Sequence, residues 1–241
     1  MQVSDRIHRL GDRYVNWYVI EEGGRLTVLD SGFPQHWAQF PALLQAIGST
    51  LADVDAVLLT HAHADHLGSA EQIRRDAHAR VYIHTADAAG AHRGGINPPA
   101  LSVLRALYRP FFVRYLLHIA RAGGLRVPPV ADVAAFADGE RVDVPGRPRV
   151  IHTPGHTQGH CALHVEDRDV LFSGDALVTL DTATGYVGPS LLTPPFVQDE
   201  DQALASLQRL EATGAGTVLP GHGEPWRGDV ADAVSLARRR S

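Results

Sequence analysis

Thr60-His61-Ala62-His63-Ala64-Asp65-His66 follows directly on the apolar run Val57-Leu58-Leu59. Three imidazoles and a carboxylate therefore fall within six positions, at the end of what reads as a buried strand over Val54–Thr60. A metal ion needs converging nitrogen and oxygen donors, and this spacing supplies four of them. The competing reading is a His-rich surface loop, but so dense a cluster favours the ligand set.

Three later segments have the same build of strand, glycine turn and potential ligand. They are Ile151-His152-Thr153-Pro154-Gly155-His156-Thr157-Gln158-Gly159-His160, Leu171-Phe172-Ser173-Gly174-Asp175 and Val218-Leu219-Pro220-Gly221-His222-Gly223. Glycine lets the backbone turn sharply and approach a site closely. Each turn lies at a strand end, where α/β folds place active sites.

The rest of the chain fits a layered α/β fold. Strands are expected over Val15–Ile20 and Arg25–Asp30, with a hairpin turn at Glu22-Gly23-Gly24. Trp37, Phe40, Leu44 and Ile47 give helical spacing over 34–47. A helix over Leu67–Ala79 and a strand over Arg80–His84 follow. Further strands are expected at Val142–Val144, Val150–His152, Ala162–Val165, Val170–Ser173 and Thr217–Leu219. Helices are expected over Asp199–Thr213 and Asp229–Arg240. Leu101–Ala122 departs from this rhythm, being apolar with Arg105, Arg109, Arg114 and Arg121 interspersed. Pro110 predicts two short helices there rather than one. The stretch reads as an insertion, either a hairpin packed on the core or a wall whose arginines face an anionic group.

The chain has 241 residues, 44% hydrophobic and 20% charged, which fits one large globular domain. Its net charge of −5 disfavours a nucleic-acid partner. One cysteine allows no intrachain disulfide. No basic-then-apolar leader and no apolar run of membrane-spanning length are evident, so a cytoplasmic protein with a small-molecule substrate and no membrane partner is expected.

H-x-H-x-D-H, P-G-H-T-x-G-H, S-G-D and G-H-G occur in this order between residues 61 and 222. In this the chain resembles the metallo-β-lactamase superfamily, in its glyoxalase II-like and lactonase-like branch. The resemblance implies an αββα four-layer sandwich, a single domain over 1–241 with a helical insertion at about 98–130, and a possible homodimer. His61, His63 and His156 resemble the ligands of a first metal. Asp65, His66 and His222 resemble those of a second, and Asp175 resembles the carboxylate that bridges both. All seven positions hold the expected residue type, which disfavours a pure binding module.

Nitrogen and carboxylate donors suit Zn2+, with Mn2+ or Fe2+ as alternatives. Two such ions can share a hydroxide that attacks a small ester, thioester or lactone. Asp65 and Asp175 are the expected catalytic carboxylates, Asp65 orienting the hydroxide or passing its proton. The family also contains phosphodiesterases and mononuclear iron persulfide dioxygenases, which stand as alternatives. Val178 occupies the position where the similar lactonases carry tyrosine, and 176–189 lacks the arginine usual in glyoxalase II enzymes. His152 and His160 read as supporting groups rather than ligands, and Cys161 as a buried apolar residue. Asp30 is expected either to hydrogen-bond the ligand loop or to cap a helix. His8, His36, His78, His84, His92, His118 and His164 lack ligand spacing and read as structural or surface groups. Tyr186 either reaches substrate or decorates a turn.

Overall fold

The computed structural model describes residues 1–240. The first sheet begins with β1 (Gln2–Ser4), β2 (Ile7–Gly11), β3 (Asn16–Glu22) and β4 (Arg25–Leu29), all antiparallel neighbours. Gly23 and Gly24, both at positive φ, make the β3–β4 turn that the sequence signals. From β4 the sheet becomes parallel through β5 (Val54–Leu58), β6 (Arg80–His84) and β7 (Ala134–Phe136). Parallel neighbours need crossovers, and helices supply them. The β4–β5 connection carries a 3-10 turn over Pro34–Ala38 and α1 (Gln39–Ile47). The β5–β6 connection carries α2 (Ala64–Leu67) and α3 (Ala70–Ala77). Between β6 and β7 lie α4 (Thr85–Ala91), α5 (Ala100–Ala106) and α6 (Pro110–Arg121).

The second sheet contains β8 (Arg149–His152), β9 (Cys161–Val165) and β10 (Val170–Gly174). A small ribbon of β11 (Val178–Leu180) and β12 (Val187–Ser190) follows, then α7 (Glu200–Glu211). β13 (Thr217–Pro220) runs parallel to β10, β14 (Trp226–Arg227) closes that edge, and α8 (Val230–Arg238) ends the described chain. The second sheet's order is β14-β13-β10-β9-β8.

Three apolar layers hold this arrangement together. Between the sheets, Ile20, Leu29 and Leu58 of the first meet Leu163, Phe172 and Leu219 of the second. Behind the first sheet, Val28, Val57 and Val81 pack on Phe40, Leu44 and Ile73 of the helices. Behind the second, Leu171 and Val218 pack on Leu207, Leu210 and Val234. The molecule is thus an αββα sandwich, and each sheet buries both faces, as near-continuous apolar strands require.

Two expectations fail for local reasons. The helix expected over Leu67–Ala79 is broken at Gly68-Ser69. Gly68 lies against the backbone at Gly32, where an added Cβ would sit 2.3 Å from the Gly32 carbonyl oxygen, and its N–H donates to that oxygen at 2.8 Å. The strand expected at Val142–Val144 is instead a tight turn in which the Val144 N–H donates to the Val142 carbonyl. Pro145-Gly146 follows at once, and only Arg141 makes a bridge, to Arg149. Pro110 breaks the insertion into two helices as expected. It sits in the first turn of α6, where its missing N–H costs nothing.

Candidate metal centre

The four motif loops leave the two sheets at one end of the sandwich. β5 delivers His61, His63, Asp65 and His66, and the β8–β9 loop delivers His156. Asp175 follows β10 and His222 follows β13. Their side chains converge from both sheets on one buried volume. His61 Nε2, His63 Nδ1 and His156 Nε2 form a triangle with sides of 3.0, 2.8 and 3.0 Å. Asp65, His66 and His222 form a second cluster. Asp175 stands between the two. Its Oδ2 lies 3.3 Å from His156 Nε2 and 3.1 Å from His222 Nε2, and its Oδ1 lies 3.5 Å from His66 Nε2. The structure therefore brings together all seven residues singled out from the motifs.

The outward ring nitrogens fix which atoms face inward. His61 Nδ1 donates to Thr60 Oγ1, whose own proton goes to the Asp30 carboxylate. His66 Nδ1 donates to Asp30 Oδ2 at 2.8 Å, and His222 Nδ1 donates to the Tyr14 carbonyl at 2.6 Å. Each arrangement turns Nε2 toward the centre, the usual way a supporting partner orients a metal ligand. When unprotonated, the ring nitrogens of His61, His63 and His156, 2.8–3.0 Å apart, repel one another unless a cation is shared. Their spacing suits one ion with bonds of roughly 2.0–2.1 Å to nitrogen. His66 Nε2 and Asp175 Oδ1 are buried and lack any protein hydrogen-bond partner. The donor set and these unpaired atoms fit divalent cations.

The electrostatics divide along the same line. Burial, and then the neighbouring imidazoles, push the His61 pKa well down and keep the ring neutral. Burial also lowers His63, and it pushes His156 well down. At His66 and His222 burial also opposes protonation, but Asp175, with Asp65 and (for His66) Asp30, outweighs it and raises both. Burial would raise the Asp175 carboxyl. The charges of His222 and His66, with the His222 hydrogen bond, instead hold it well below the ordinary carboxylate range.

Two glycines make the convergence sterically possible. A Cβ on Gly221 would lie 2.2 Å from Asp175 Oδ1 and 2.9 Å from His66 Cε1. Gly174 has a φ of +51°, and a Cβ there would strike His160 Nε2 at 2.6 Å. His160 stands behind the centre. Its Nε2 accepts the Asp175 backbone N–H at 2.9 Å, and burial holds its pKa down to about 3. His152 stacks on His84 with its Nε2 directed at the Gln158 carbonyl, away from the clusters. Asp30 joins the ligand loop through Thr60 and His66. Cys161 is buried, which pushes its thiol up. Tyr186 packs under the Arg240 guanidinium, outside the site.

Two contributors escaped the sequence reading. Asp87, on α4, is buried and accepts from the Ala62 N–H, Thr157 Oγ1 and the Gly159 N–H at 3.0, 2.7 and 2.8 Å. It ties the first ligand loop to the second, and no motif marks it. Tyr115, on α6, donates to Asp65 Oδ2 at 2.6 Å. Burial, and then the Asp65 carboxylate, raise its phenol well above the ordinary value, so it remains a donor. Helical spacing from Phe112 was the available signal, since it puts both residues on the inward face.

His36 and His118 do meet a carboxylate, although their spacing gave no hint of it. Their Nε2 atoms lie 3.2 and 2.8 Å from Asp12 Oδ2. His36 Nδ1 accepts the Phe33 N–H, so its proton sits on Nε2 and faces Asp12. That contact is a hydrogen bond, leaving no lone pair for a cation, and the trio clamps α6 to the β2–β3 loop.

Above the clusters lies a cavity of about 240 Å³. Its floor includes His63, Asp65, His156, Asp175 and His222. Its walls include Val103, Leu116, Ile119 and Leu125 from residues 100–125, facing Phe33 and Phe196. No arginine lines it, contrary to the reading in which the insertion's arginines face the site. The inward face of α6 is taken by Phe112, Tyr115, Leu116 and Ile119, which leaves Arg114 and Arg121 to the exposed side.

This fold with this arrangement of loops defines a class, and sequence comparison agrees. The pattern of the metallo-beta-lactamase superfamily matches residues 10–222, and the chain belongs to that superfamily. It is 29% identical to the probable metallo-hydrolase YflN of Bacillus subtilis, over all of this chain and 93% of that protein. It is 28% identical to the acyl-coenzyme A thioesterase MBLAC2 of Gallus gallus, over 91% of this chain and 76% of that one. It is 31% identical to a hydroxyacylglutathione hydrolase of Xylella fastidiosa, over 86% of this chain but only 58% of that enzyme. Among solved structures, a metallo-beta-lactamase family protein of Thermus thermophilus, TTHA1429, superposes with a TM-score of 0.70 at 27% identity, covering 98% of this chain and 79% of that one. TTHA1623 in a di-iron-bound form gives 0.63 at 29%, covering 91% and 93%. The chain is thus a metallo-hydrolase of this superfamily, with thioesterase and glyoxalase II-like relatives.

Proposed function

We propose that this protein is a dinuclear metal-dependent hydrolase that cleaves a small ester, thioester or lactone with a partly apolar acyl group, a thioester being favoured. The observation that carries this reading is the position of the apolar cavity directly over both ligand clusters. His61, His63 and His156 would hold one divalent ion, Asp65, His66 and His222 the other, with Asp175 between them. Such ions, when bound, polarise a carbonyl oxygen and make water a nucleophile near neutral pH.

The chain's own residues supply the rest. Val103, Leu116, Ile119 and Phe196 bind the acyl chain and exclude water from it. The floor then meets the carbonyl end. Asp65 faces the cavity with Oδ2 fixed by Tyr115, so Oδ1 is placed to take the proton that an attacking water loses. That proton returns to the leaving sulfur or oxygen as the acyl bond breaks, and the products are an acid and a thiol or alcohol. His160 and Asp30 hold Asp175 and His66 in place. Zinc is the favoured ion by donor type, with manganese or iron as alternatives. The thioesterase relatives and the absence of lysine and arginine from the cavity support an acyl substrate over a phosphodiester.

A panel of thioesters, esters, lactones and a chromogenic phosphodiester tests this reading. The expected result is chelator-sensitive turnover of an acyl substrate, with kcat/KM rising from acetyl to medium-length chains. Turnover of the phosphodiester alone would overturn it.

A further inference from the structure

The outward face of the insertion differs from the rest of the surface. Among the described residues, nine large hydrophobic side chains are exposed, and Leu101, Leu104, Leu107, Tyr108, Leu117 and Leu125 are six of them. Leu104 is 63%, Tyr108 75% and Leu125 74% exposed, so these side chains stand out from the body. Between Asp87 and Asp132 the chain has six arginines and no acidic residue, although the net charge of the whole is −5. Arg105, Arg114, Arg121 and Arg126 are exposed among those leucines. Leu125 belongs both to this face and to the cavity wall, so the cavity reaches the surface here.

We propose that this face docks on an anionic lipid bilayer. An apolar surface interleaved with cations is what an interfacial segment presents to acidic headgroups. Scattered exposed leucines need no explanation, but six large apolar side chains concentrated on α5, α6 and the segments that follow them do. Charge selects the occupant. A second copy meeting through the same patch would set arginine against arginine, whereas acidic headgroups complement them all. No helix of the described residues is long and apolar enough to cross a membrane, and the contact proposed is with the membrane surface. The proposal does not depend on the hydrolase reading, and its test uses no substrate.

The test is flotation of the full chain with phosphatidylcholine vesicles, with and without phosphatidylglycerol, at low and high salt. Binding is expected only to the anionic vesicles and should fall with salt. Leu104→Ser with Leu117→Ser should weaken it about tenfold or more. Arg105→Gln and Arg121→Gln should each weaken it about fivefold. All four side chains are exposed, so the variants should keep the wild-type circular dichroism and unfolding midpoint. Failure to float, equal binding to neutral vesicles, or unchanged binding by the leucine double variant would overturn the proposal. So would a dimer in light scattering that the same variant dissociates without any vesicle binding, since the patch would then join two copies.

Discussion

The floor of the cavity and its roof are built on opposite principles. The floor is made of short loops at strand ends, and its polar atoms are buried and held by named partners such as Asp30, Asp87 and His160. The roof is two short helices whose inner faces are apolar and whose outer faces carry leucine and arginine. Polar groups joined in a buried network tolerate little change, because each lost partner leaves another unsatisfied. Apolar walls tolerate substitution of similar volume. In such an enzyme, chemistry is set by the part that cannot vary and substrate choice by the part that can.

Changes to the floor should therefore abolish function, and changes to the roof should redirect it. The largest effect is expected from Asp175→Ala, which removes the carboxylate between the clusters. Activity should fall by at least about a hundredfold and metal content should drop, and wild-type turnover in the metal-reconstituted variant would sink the assignment. Next comes Asp87→Ala, which touches no candidate ligand yet strands three buried donors. A loss on the order of 3 kcal/mol is expected in urea unfolding, and an unchanged midpoint would show that the loops hold themselves. On the roof, Leu116→Ala with Ile119→Ala should raise KM for medium-chain substrates about tenfold while leaving acetyl substrates unchanged. Equal effects on both would make the roof mere scaffold.

The smallest effect joins the two regions. Burial alone would raise the Asp12 carboxyl, but the His36 hydrogen bond, the Tyr14 N–H and the charge of His118 lower it to about 2. A carboxyl depressed in the folded state stabilises it above the unfolded value of roughly 4, and that contribution is lost as pH falls toward the folded value. Asp12→Asn should therefore flatten acid destabilisation between about pH 4 and pH 2 and loosen α6 in hydrogen exchange. A variant that tracks the wild type through that window would remove the clamp from the account.

The floor was legible in the sequence because ligand spacing, glycine turns and strand ends all lie within a few residues of one another. The layered α/β fold followed from the alternation of apolar strands and amphipathic helices, and the sandwich from the family resemblance. Of the partners that hold the floor, Asp30 and His160 were legible beside the motifs, but Asp87 and Tyr115 were not, because they reach it across 70 and 50 positions of chain. The insertion's break at Pro110 was plain, but not the direction of its arginines, since helical spacing gives two faces and does not say which one meets a cavity. The Asp12 clamp likewise joins three distant segments, and His36 and His118 showed no spacing that announced it.

The most direct measurement is metal identity and stoichiometry by mass spectrometry on protein purified without added metal. The account predicts two divalent ions per chain, zinc foremost, with one lost first in His222→Ala. A single iron per chain, with the second cluster empty under metal excess, would contradict it and turn attention to dioxygen chemistry at the first.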